Sequence, residues 1–351
     1  MKLKRLFALV LVSAVVLTVL SACGTSPFGG EEKLAVSGNF AMGSFISVSA
    51  YSSGDPDRAS RAAASAVVDL GKKLTATDGK SEIGRINAHE KGTVSAEVAG
   101  ILASAARIAE KSGGALRLTI GRVSELWGFT GETPRLPDPG ALSSALPTAA
   151  AENIVLDGSA VRLLNGAKLD PGAFGKGAGL DAAADALEKE SAAGMVDFGG
   201  SILFLGKRAD EPTWSLGIRD PFGAAEDYFA TLLFTPETGA SRFCVSTSGV
   251  YEKAFTENGK TYHHILDPET GYPVENGLVS VTAVSASGVV SDALSTALFV
   301  MGCTKDAVAL AEEEGLGAVF VFDDGRVFVT PGLRDQFSLK KEGFTVTEAL
   351  P

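Results

Sequence analysis

Apolar and polar positions along this chain repeat with two periods, one typical of strands and one typical of helices. Between residues 40 and 51, apolar and small polar residues alternate, which predicts a half-buried strand. In several other segments the apolar positions recur at helical spacing. This spacing predicts helices over residues 57–73, 81–88, 96–111, 177–189, 289–301 and 304–314.

Strands dominate the second half of the chain. Alternating or short apolar runs predict strands within residues 154–164, 195–198, 202–205, 214–245, 278–285, 318–322 and 327–329. The Pro-containing stretch 131–147 is predicted to be an exposed connection that carries a short helix. Helices mixed in this way with antiparallel strands indicate an α+β fold.

The N-terminus has the features of a bacterial export signal. Basic residues at positions 2, 4 and 5 precede an apolar run over 6–20 that is too short for a comfortable membrane span. The run ends in Leu20-Ser21-Ala22-Cys23, which resembles a lipobox, and an ordinary signal peptide with an incidental Cys is the alternative. We therefore expect a signal peptide over 1–22, a lipidated Cys23 with a tether over 23–36, and one domain, possibly of two lobes, over 37–351. The lipid would hold the exported protein at the extracytoplasmic or periplasmic face of the cell membrane.

The charge balance limits the partners of the protein. Lys and Arg number 31 against 42 Asp and Glu, which gives a formal charge of −11. Such a charge repels nucleic acid, so no nucleic-acid partner is expected. An anionic ligand would need oriented backbone amides, a metal ion or a few placed cations.

One glycine-rich segment has the composition of an anion site. Residues 169–177, Leu-Asp-Pro-Gly-Ala-Phe-Gly-Lys-Gly, lead from a predicted strand into a predicted helix. Glycines allow backbone amides to approach an anion, and the helix N-terminus and Lys176 add positive charge. The spacing is not that of a Walker A loop, and a plain strand-to-helix turn is an equal alternative for this segment taken alone.

A histidine pair precedes a rigid turn. His263 and His264 stand before Asp267-Pro268 and Thr270-Gly271, which are turn formers. This order places His264 at the end of a strand, where a neutral imidazole can take a proton from a hydroxyl group. His263 should point to the opposite face of the strand.

A third segment offers oxygen ligands for a cation. Asp292 and Thr296 lie four residues apart at the start of a predicted apolar helix, so they share one helical face. A carboxylate and a hydroxyl suit Mg²⁺, which also keeps water and phosphate oxygens as ligands. The alternative is an N-cap Asp with a Thr that bonds to the backbone.

Taken in order, these segments resemble the ApbE-type FAD:protein FMN transferases, a family of bacterial lipoproteins. The similarity extends from about residue 40 to residue 329. Its markers are Met42-Gly43-Ser44, Ser81-Glu82-Ile83 with Arg85-Ile86-Asn87, Ser112 to Ala115, Leu126 to Phe129, Asp170 to Gly177, Gly199-Gly200, Thr247-Ser248-Gly249, His264 to Pro273 and Asp292 to Thr296.

The resemblance implies a tunnelling-fold-like α+β core, with a largely antiparallel sheet, packed helices and an FAD cleft. By it, the carbonyl of Gly175 with Asp292 and Thr296 would hold Mg²⁺ against the FAD pyrophosphate, and His264 would activate the acceptor hydroxyl. The family's FAD contacts fall on Met42, Thr77, Ala115, Leu116, Arg117, Gly172, Ala178 and Leu266. The implied acceptor is a Thr or Ser of another flavoprotein, in a membrane redox complex or an exported FMN-binding domain, and AMP would leave.

Three positions depart from the family pattern. Leu116-Arg117-Leu118-Thr119 stands where the family has Phe-Asp-Pro-Thr, and Thr77 stands where it has an aromatic residue. Residues 172–175 are Gly-Ala-Phe-Gly where the family has Gly-Gly-Ile-Ala. Two other functions therefore stay open beside FMN transfer: metal-dependent hydrolysis of FAD to FMN and AMP, and non-enzymatic FAD binding by a surface lipoprotein.

Overall fold

The computed structural model describes residues 31–129, 133–236 and 241–350. The predicted signal peptide and the predicted lipidation site Cys23 lie outside the described residues. Within the described residues, no helix is both long and apolar enough to cross a bilayer.

The helices follow the apolar spacing of the sequence closely, and their caps explain where they begin. Helix α1, for example, starts where the side chain of Asp55 accepts a hydrogen bond from the amide of Arg58, with Pro56 in the first turn. Within the described residues the helices are α1 (Pro56–Leu74), α2 (Glu82–His89), α3 (Ala96–Lys111), α4 (Gly121–Trp127), α5 (Pro139–Ala145), α6 (Gly175–Lys189), α7 (Gly288–Met301) and α8 (Lys305–Glu314).

The strands of the described residues include several short ones that the apolar pattern did not predict. In chain order they are β1 (Lys33–Ala41), β2 (Ser44–Ser52), β3 (Lys91–Thr93), β4 (Ile154–Asp157), β5 (Ala160–Leu163), β6 (Ala193–Phe198), β7 (Ser201–Leu205), β8 (Trp214–Arg219), β9 (Tyr228–Phe234), β10 (Arg242–Gly249), β11 (Ala254–Glu257), β12 (Lys260–His263), β13 (Leu278–Ser285), β14 (Gly317–Phe322), β15 (Arg326–Val329), β16 (Phe337–Leu339) and β17 (Thr345–Thr347).

One large sheet organises the fold. Its nine strands lie in the order β1-β2-β6-β7-β10-β13-β14-β15-β17, and all neighbours are antiparallel except β15 and β17. Helices and a largely antiparallel sheet are thus mixed in one body, which confirms the predicted α+β class.

The two faces of the sheet are covered differently. Helices α1, α6 and α7 pack on one face, against inward side chains such as Ile46 and Val196. A smaller sheet, β16-β9-β8, covers the opposite face and buries Phe204, Val245 and Val319. Because both faces of the central strands are covered, β13 is buried along nearly its whole length.

The first predicted strand is in fact a hairpin. The alternation over residues 40–51 continues through the turn between β1 and β2, where Met42 and Gly43 have φ of 46° and 76°. A two-residue turn with both φ positive matches the twist of the strands, but Met is an uncommon residue for it, so the pattern did not reveal it. Strand β1 also begins at Lys33, so residues 33–36, which we assigned to the tether, belong to the sheet.

Candidate active site

Helices α6 and α7 approach each other so closely that only glycine fits at their contact. A Cβ atom on Gly177 would overlap the carbonyl oxygen of Gly288, and one on Gly288 would overlap the carbonyl of Gly177. Glycine at both positions lets the two backbones touch. The N-termini of both helices consequently lie side by side, with their positive dipole ends close together.

Asp292 joins the glycine-rich loop to α7. Its Oδ2 accepts a hydrogen bond of 2.9 Å from the backbone amide of Gly177, and its side chain is almost fully buried. Burial raises the pKa of Asp292, while the charge of Lys176 and the amides of Gly177 and Lys176 oppose the rise. The two segments that the sequence assigned to one cation site are therefore in direct contact.

Thr296 lies one turn after Asp292 and is held by a row of hydroxyl groups. Its Oγ1 is 3.1 Å from the Oγ of Ser248 on β10, and Ser248 is in turn 2.9 Å from Ser295. Strand β10 therefore fixes the side chain of Thr296 on the helical face that carries Asp292. This contact gives Thr247-Ser248-Gly249 a role in orienting the site.

Asp181 holds the start of α7 in place, and the sequence reading missed it. Its carboxylate accepts hydrogen bonds from the amides of Gly288 and Val289, at 2.6 and 3.0 Å, and from the hydroxyl of Ser287. Asp181 lies four residues after Gly177, so both face α7 from the same side of α6. The clue in the sequence was an acidic residue four positions after Gly177 in an otherwise Ala-rich helix.

The β1–β2 hairpin closes over the same loop. The sulfur of Met42 lies 3.6 Å from the point where a Cβ of Gly175 would stand. The hydroxyl of Ser44 lies beside Gly199, whose carbonyl accepts a hydrogen bond of 3.1 Å from Nζ of Lys176. Met42 and Lys176 are thus both at the loop.

Asn87 fixes the extended segment that leads into the loop. Its side-chain amide donates to the carbonyl of Leu169 at 3.0 Å and accepts from the amide of Leu169 at 2.8 Å. The next residue, Asp170, accepts from the amide of Gly172 and so shapes the following turn. Asn87 was a marker of the resemblance without an assigned role, and the structure shows that it positions this turn.

His264 follows β12 directly, as predicted. Burial lowers its pKa to about 4, with contributions from the positive charges of Lys253, His263 and Lys176. Nδ1 of His264 is buried and has no hydrogen-bond partner within the described residues. The ring is therefore neutral at pH 7.

His263 has a different, structural environment. Its Nε2 lies 3.0 Å from the carbonyl of Val274, and its ring packs edge-on against Phe299 with a centroid distance of 5.9 Å. The two histidines thus have different surroundings. The charge of Lys176 contributes to the lowered pKa of His264 and not to that of His263.

An aromatic cluster supports the His264 segment. Trp127 is fully buried and packs against Phe129, Phe255, Tyr262 and Tyr272. Its Nε1 donates a hydrogen bond of 2.7 Å to the carbonyl of Gly271, in the turn that follows His264. The ring of Phe129 meets His264 edge-on at a centroid distance of 6.3 Å.

The positions that the resemblance assigned to FAD fall into two groups. The side chains of Leu116, Ala178 and Leu266 are buried in the core, so a ligand could reach only their backbone. The others are at least partly accessible. They are Met42, Thr77, Ala115, Arg117 and Gly172, of which Thr77 and Gly172 are exposed.

Arg117 is turned back onto the chain that precedes it. Its Nε donates a hydrogen bond of 2.8 Å to the carbonyl of Gly114, so the guanidinium lies over the turn after α3. The remaining guanidinium nitrogens give this region a positive charge where the family carries an acid.

The oxygen donors around Asp292 suit a hard cation such as Mg²⁺ better than a transition-metal ion. Within the described residues there is no cluster of three or more His, Cys, Asp or Glu side chains that could hold a metal. In the same residues no Lys, Arg or His side chain forms an ion pair with the buried Asp292. One carboxylate, one hydroxyl and a nearby carbonyl leave coordination positions for water and phosphate oxygens, which is what Mg²⁺ prefers.

Two surface cavities lie away from this centre. The first, about 550 Å³, is lined by residues that follow His264, among them Asp267, Tyr272 and Glu275. The second, about 470 Å³, lies between the two sheets near Phe234 and Phe243. Neither is lined by Gly175, Asp292 or Thr296, so the FAD cleft stays a prediction.

Comparison with known proteins finds one family consistently. The family model described as "ApbE family" matches residues 42–320. A Haemophilus influenzae protein named FAD:protein FMN transferase is 31% identical over 274 residues, which are 75% of this chain and 78% of that protein. A Treponema pallidum protein of the same name is 34% identical over 254 residues, covering 67% of this chain and 68% of its own.

Solved structures show the same relationship. The ApbE protein of Thermotoga maritima aligns with a TM-score of 0.79 and 31% identity, covering 87% of this chain and 99% of its own. The flavinyl transferase ApbE of Pseudomonas stutzeri aligns with a TM-score of 0.75 and 26% identity, covering 90% of this chain and all of its own.

Proposed function

This chain belongs to the ApbE family, and from that premise we propose that it transfers FMN from FAD to a Thr or Ser hydroxyl of an acceptor flavoprotein, releasing AMP in a Mg²⁺-dependent reaction. Its relationship to several FAD:protein FMN transferases makes it an enzyme of that class and supports FAD as its substrate. The flavin-storing alternative is therefore not supported. The single structural observation in favour of the proposal is the hydrogen bond between Asp292 and the amide of Gly177.

The joined helix ends supply the diphosphate site in this proposal. The N-terminus of α6 directs its positive dipole toward this region, and Lys176 adds a full charge beside it. These groups would compensate the negative charge of a diphosphate in a chain that is otherwise acidic. They would also stabilise the charge that develops on phosphorus and on the departing AMP.

The metal would complete the same site. Asp292, Thr296 and the carbonyl of Gly175 would hold Mg²⁺, which when bound neutralises phosphate charge and polarises the P–O bond. Ser248 would keep the hydroxyl of Thr296 in position.

His264 would act on the acceptor. A neutral imidazole can take the proton of a Thr or Ser hydroxyl as its oxygen attacks the FMN phosphorus. The new bond joins the acceptor oxygen to that phosphorus, the pyrophosphate P–O bond breaks, and AMP carries the electron pair away. Holding FAD and the acceptor hydroxyl together beside His264 would account for much of the acceleration.

Mass spectrometry tests the proposal directly. The chain is co-expressed with exported FMN-binding domains from the same genome, and each domain is analysed for a covalent FMN on Thr or Ser. We expect one modified residue per acceptor, and an equal amount of AMP in the purified reaction. Acceptors that stay unmodified while FAD and Mg²⁺ are present would contradict transfer.

Hydrolysis of FAD is a second candidate, because Thr77 is exposed where the family has an aromatic residue. Without an aromatic wall, water would have easier access to the flavin side of the site. Incubating the purified protein with FAD and Mg²⁺ in the absence of an acceptor separates the two reactions. AMP release without acceptor at the rate seen with acceptor would favour hydrolysis.

The location of the protein follows from the predicted lipid anchor, and this too is a proposal. We propose that Cys23 carries the lipid and that the acceptors are flavoproteins at the extracytoplasmic membrane face. The mass of the mature N-terminal peptide tests it: a diacylglycerol on Cys23 is expected, and a chain cleaved elsewhere and unmodified would contradict it.

A further inference from the structure

The outer face of the β1–β2 hairpin carries an exposed apolar patch. Val36, Phe40 and Phe45, here called the hairpin patch, are 60%, 65% and 62% exposed. Phe40 and Phe45 are direct cross-strand partners, and the ring of Phe45 lies over Gly38. Two adjacent aromatic rings so exposed in a soluble domain indicate a binding surface.

The patch is the part of the sheet face that the second sheet does not cover. At the far end of the hairpin, Tyr51 packs edge-on against Trp214 of β8, with a centroid distance of 5.9 Å. Toward the turn, no residue of the second sheet covers this face within the described residues. The cross-strand pairs left open there are Val36 with Ser49 and Phe40 with Phe45. Strand β1 is also an edge strand, so a partner can approach from the side.

The patch lies on the sheet face opposite the candidate active site, and the turn of the hairpin connects the two. Met42, two residues after Phe40, packs against Gly175, and Ser44, next to Phe45, lies beside Gly199. Gly199 in turn accepts the hydrogen bond from Lys176. A protein segment seated on the two phenylalanines would therefore be within a few residues' length of the loop that is proposed to hold the diphosphate.

We propose that the hairpin patch is the docking surface for the acceptor protein, which would place an apolar side chain near its target Thr or Ser on Phe40 and Phe45. This inference rests on the proposed FMN transfer. A protein partner is favoured over a lipid surface because Glu31 and Glu32 precede the strand and the chain carries a charge of −11, which an anionic bilayer repels. Aromatic side chains that fill a partner's apolar pocket also contribute most to protein recognition.

The test compares a whole acceptor with its own short peptide. The probes are the FMN-binding domain found to be modified in co-expression and a peptide of about 12 residues around the same Thr or Ser. In the double variant Phe40→Ser/Phe45→Ser, KM for the domain should rise at least ~10-fold, as expected when two aromatic anchors are lost. The KM for FAD, kcat, and kcat/KM for the peptide should stay unchanged.

Val346→Ser is the matched control, because Val346 is an exposed apolar residue on β17, at the opposite edge of the same sheet. It should leave every constant unchanged. A double variant whose KM for the domain equals that of the unaltered chain overturns the docking surface. Equal losses with domain and peptide also overturn it, since the patch would then act on the chemistry. No transfer by the unaltered chain overturns FMN transfer itself.

A vesicle experiment separates the lipid alternative. The mature chain without its lipid is sedimented with vesicles of phosphatidylcholine and phosphatidylglycerol. We expect no binding in either the unaltered chain or the double variant. Binding that the double substitution abolishes, together with an unchanged KM for the acceptor domain, would assign the patch to the membrane and overturn the proposal.

Discussion

The two halves of the candidate site are built by opposite means. In the phosphate half, formed by α6, α7 and the loop before α6, two glycines bring backbones into contact and one buried carboxylate joins them. In the histidine half, formed by His264 and the turn after it, large aromatic side chains around Trp127 fill the space. The first half depends on the absence of side chains, and the second depends on their bulk.

This difference predicts how each half tolerates change. Backbone contacts leave no room for adjustment, so even a methyl group should disrupt the phosphate half. Aromatic packing loses contacts in proportion to the atoms that are removed, so the histidine half should respond gradually.

The two halves share one electrostatic property. Burial raises the pKa of Asp292 and lowers the pKa of His264 to about 4, so at both groups burial acts against the charged form. A bound cation would favour the carboxylate of Asp292, and a bound diphosphate would favour a protonated His264. The imidazole must nevertheless be neutral before attack, and it becomes protonated when it takes the proton of the acceptor hydroxyl.

The largest effect is expected from Asp292→Ala in the phosphate half. Loss of the carboxylate that contacts Gly177 should abolish FMN transfer, because the proposed metal and the amide of Gly177 both lose their partner. AMP release measured at saturating FAD and Mg²⁺ checks this. Asp69→Ala, an exposed residue of α1, is the control and should keep full activity. Measurable turnover by Asp292→Ala would remove the metal assignment.

His264→Ala should reduce kcat by about 10²–10⁴-fold, the usual contribution of a general base. FAD binding should change little, because the proposed role concerns the acceptor hydroxyl. Single-turnover transfer to the acceptor domain measures the effect. His89→Ala, on the exposed end of α2, is the matched control. A His264→Ala rate equal to that of the control would show that the imidazole takes no part.

The pH dependence gives a second measure of His264. Because its pKa is lowered to about 4, the imidazole of the free enzyme is neutral at every pH above that value. A neutral base is required for attack, so kcat/KM should be lost as the pH falls through about 4, and not through the ordinary histidine range near 6.5. A limb near 6.5 in the profile of kcat/KM would contradict the burial of this ring.

The sequence revealed the phosphate half better than the histidine half. Asp292 and Thr296 are four residues apart, and Gly175 to Gly177 are adjacent, so their shared faces follow from helix periodicity alone. Helix α6 begins at Gly175, two residues before the predicted start, and α7 begins one residue early. What periodicity could not show is that α6 and α7 touch, because that depends on packing between distant segments.

The histidine half depends on contacts that are far apart in the chain. Trp127 and Gly271 are separated by 144 positions, and no local pattern connects them. A strand ending at His264 was predicted, but its pairing with β11 in a short hairpin was missed. Its turn is Asn258-Gly259, both with positive φ, which is the strongest local indicator of a tight hairpin and was the available clue.

Gly177→Ala tests the backbone contact of the phosphate half. The added methyl group would overlap the carbonyl of Gly288, so the free energy of unfolding should fall by about 3 kcal/mol. Urea unfolding followed by circular dichroism measures it. Gly100→Ala is the control, because nothing lies within 4 Å of its added Cβ on the exposed side of α3. There the free energy should rise by ~0.5–1 kcal/mol, since alanine favours the helix. An equal response at both positions would refute the close contact.

The smallest effect is expected from Trp127→Phe in the histidine half. The substitution keeps an aromatic ring but leaves the buried carbonyl of Gly271 without its donor, which should lower the free energy of unfolding by about 1–3 kcal/mol. Because this carbonyl belongs to the turn after His264, kcat should also fall, by roughly 3- to 10-fold if misplacement raises the barrier by about 1 kcal/mol.

Trp214→Phe is the matched control for this last change. Nε1 of Trp214 donates a hydrogen bond of 2.8 Å to the carbonyl of Gly206. Trp214→Phe therefore removes the same indole atoms as Trp127→Phe, but it removes them between the two sheets and away from His264. Both variants should lose comparable stability, whereas only Trp127→Phe should lose rate. If both variants kept the full kcat, the aromatic cluster would support the fold without orienting His264, and the two halves of the site would differ in packing but not in their coupling to the reaction.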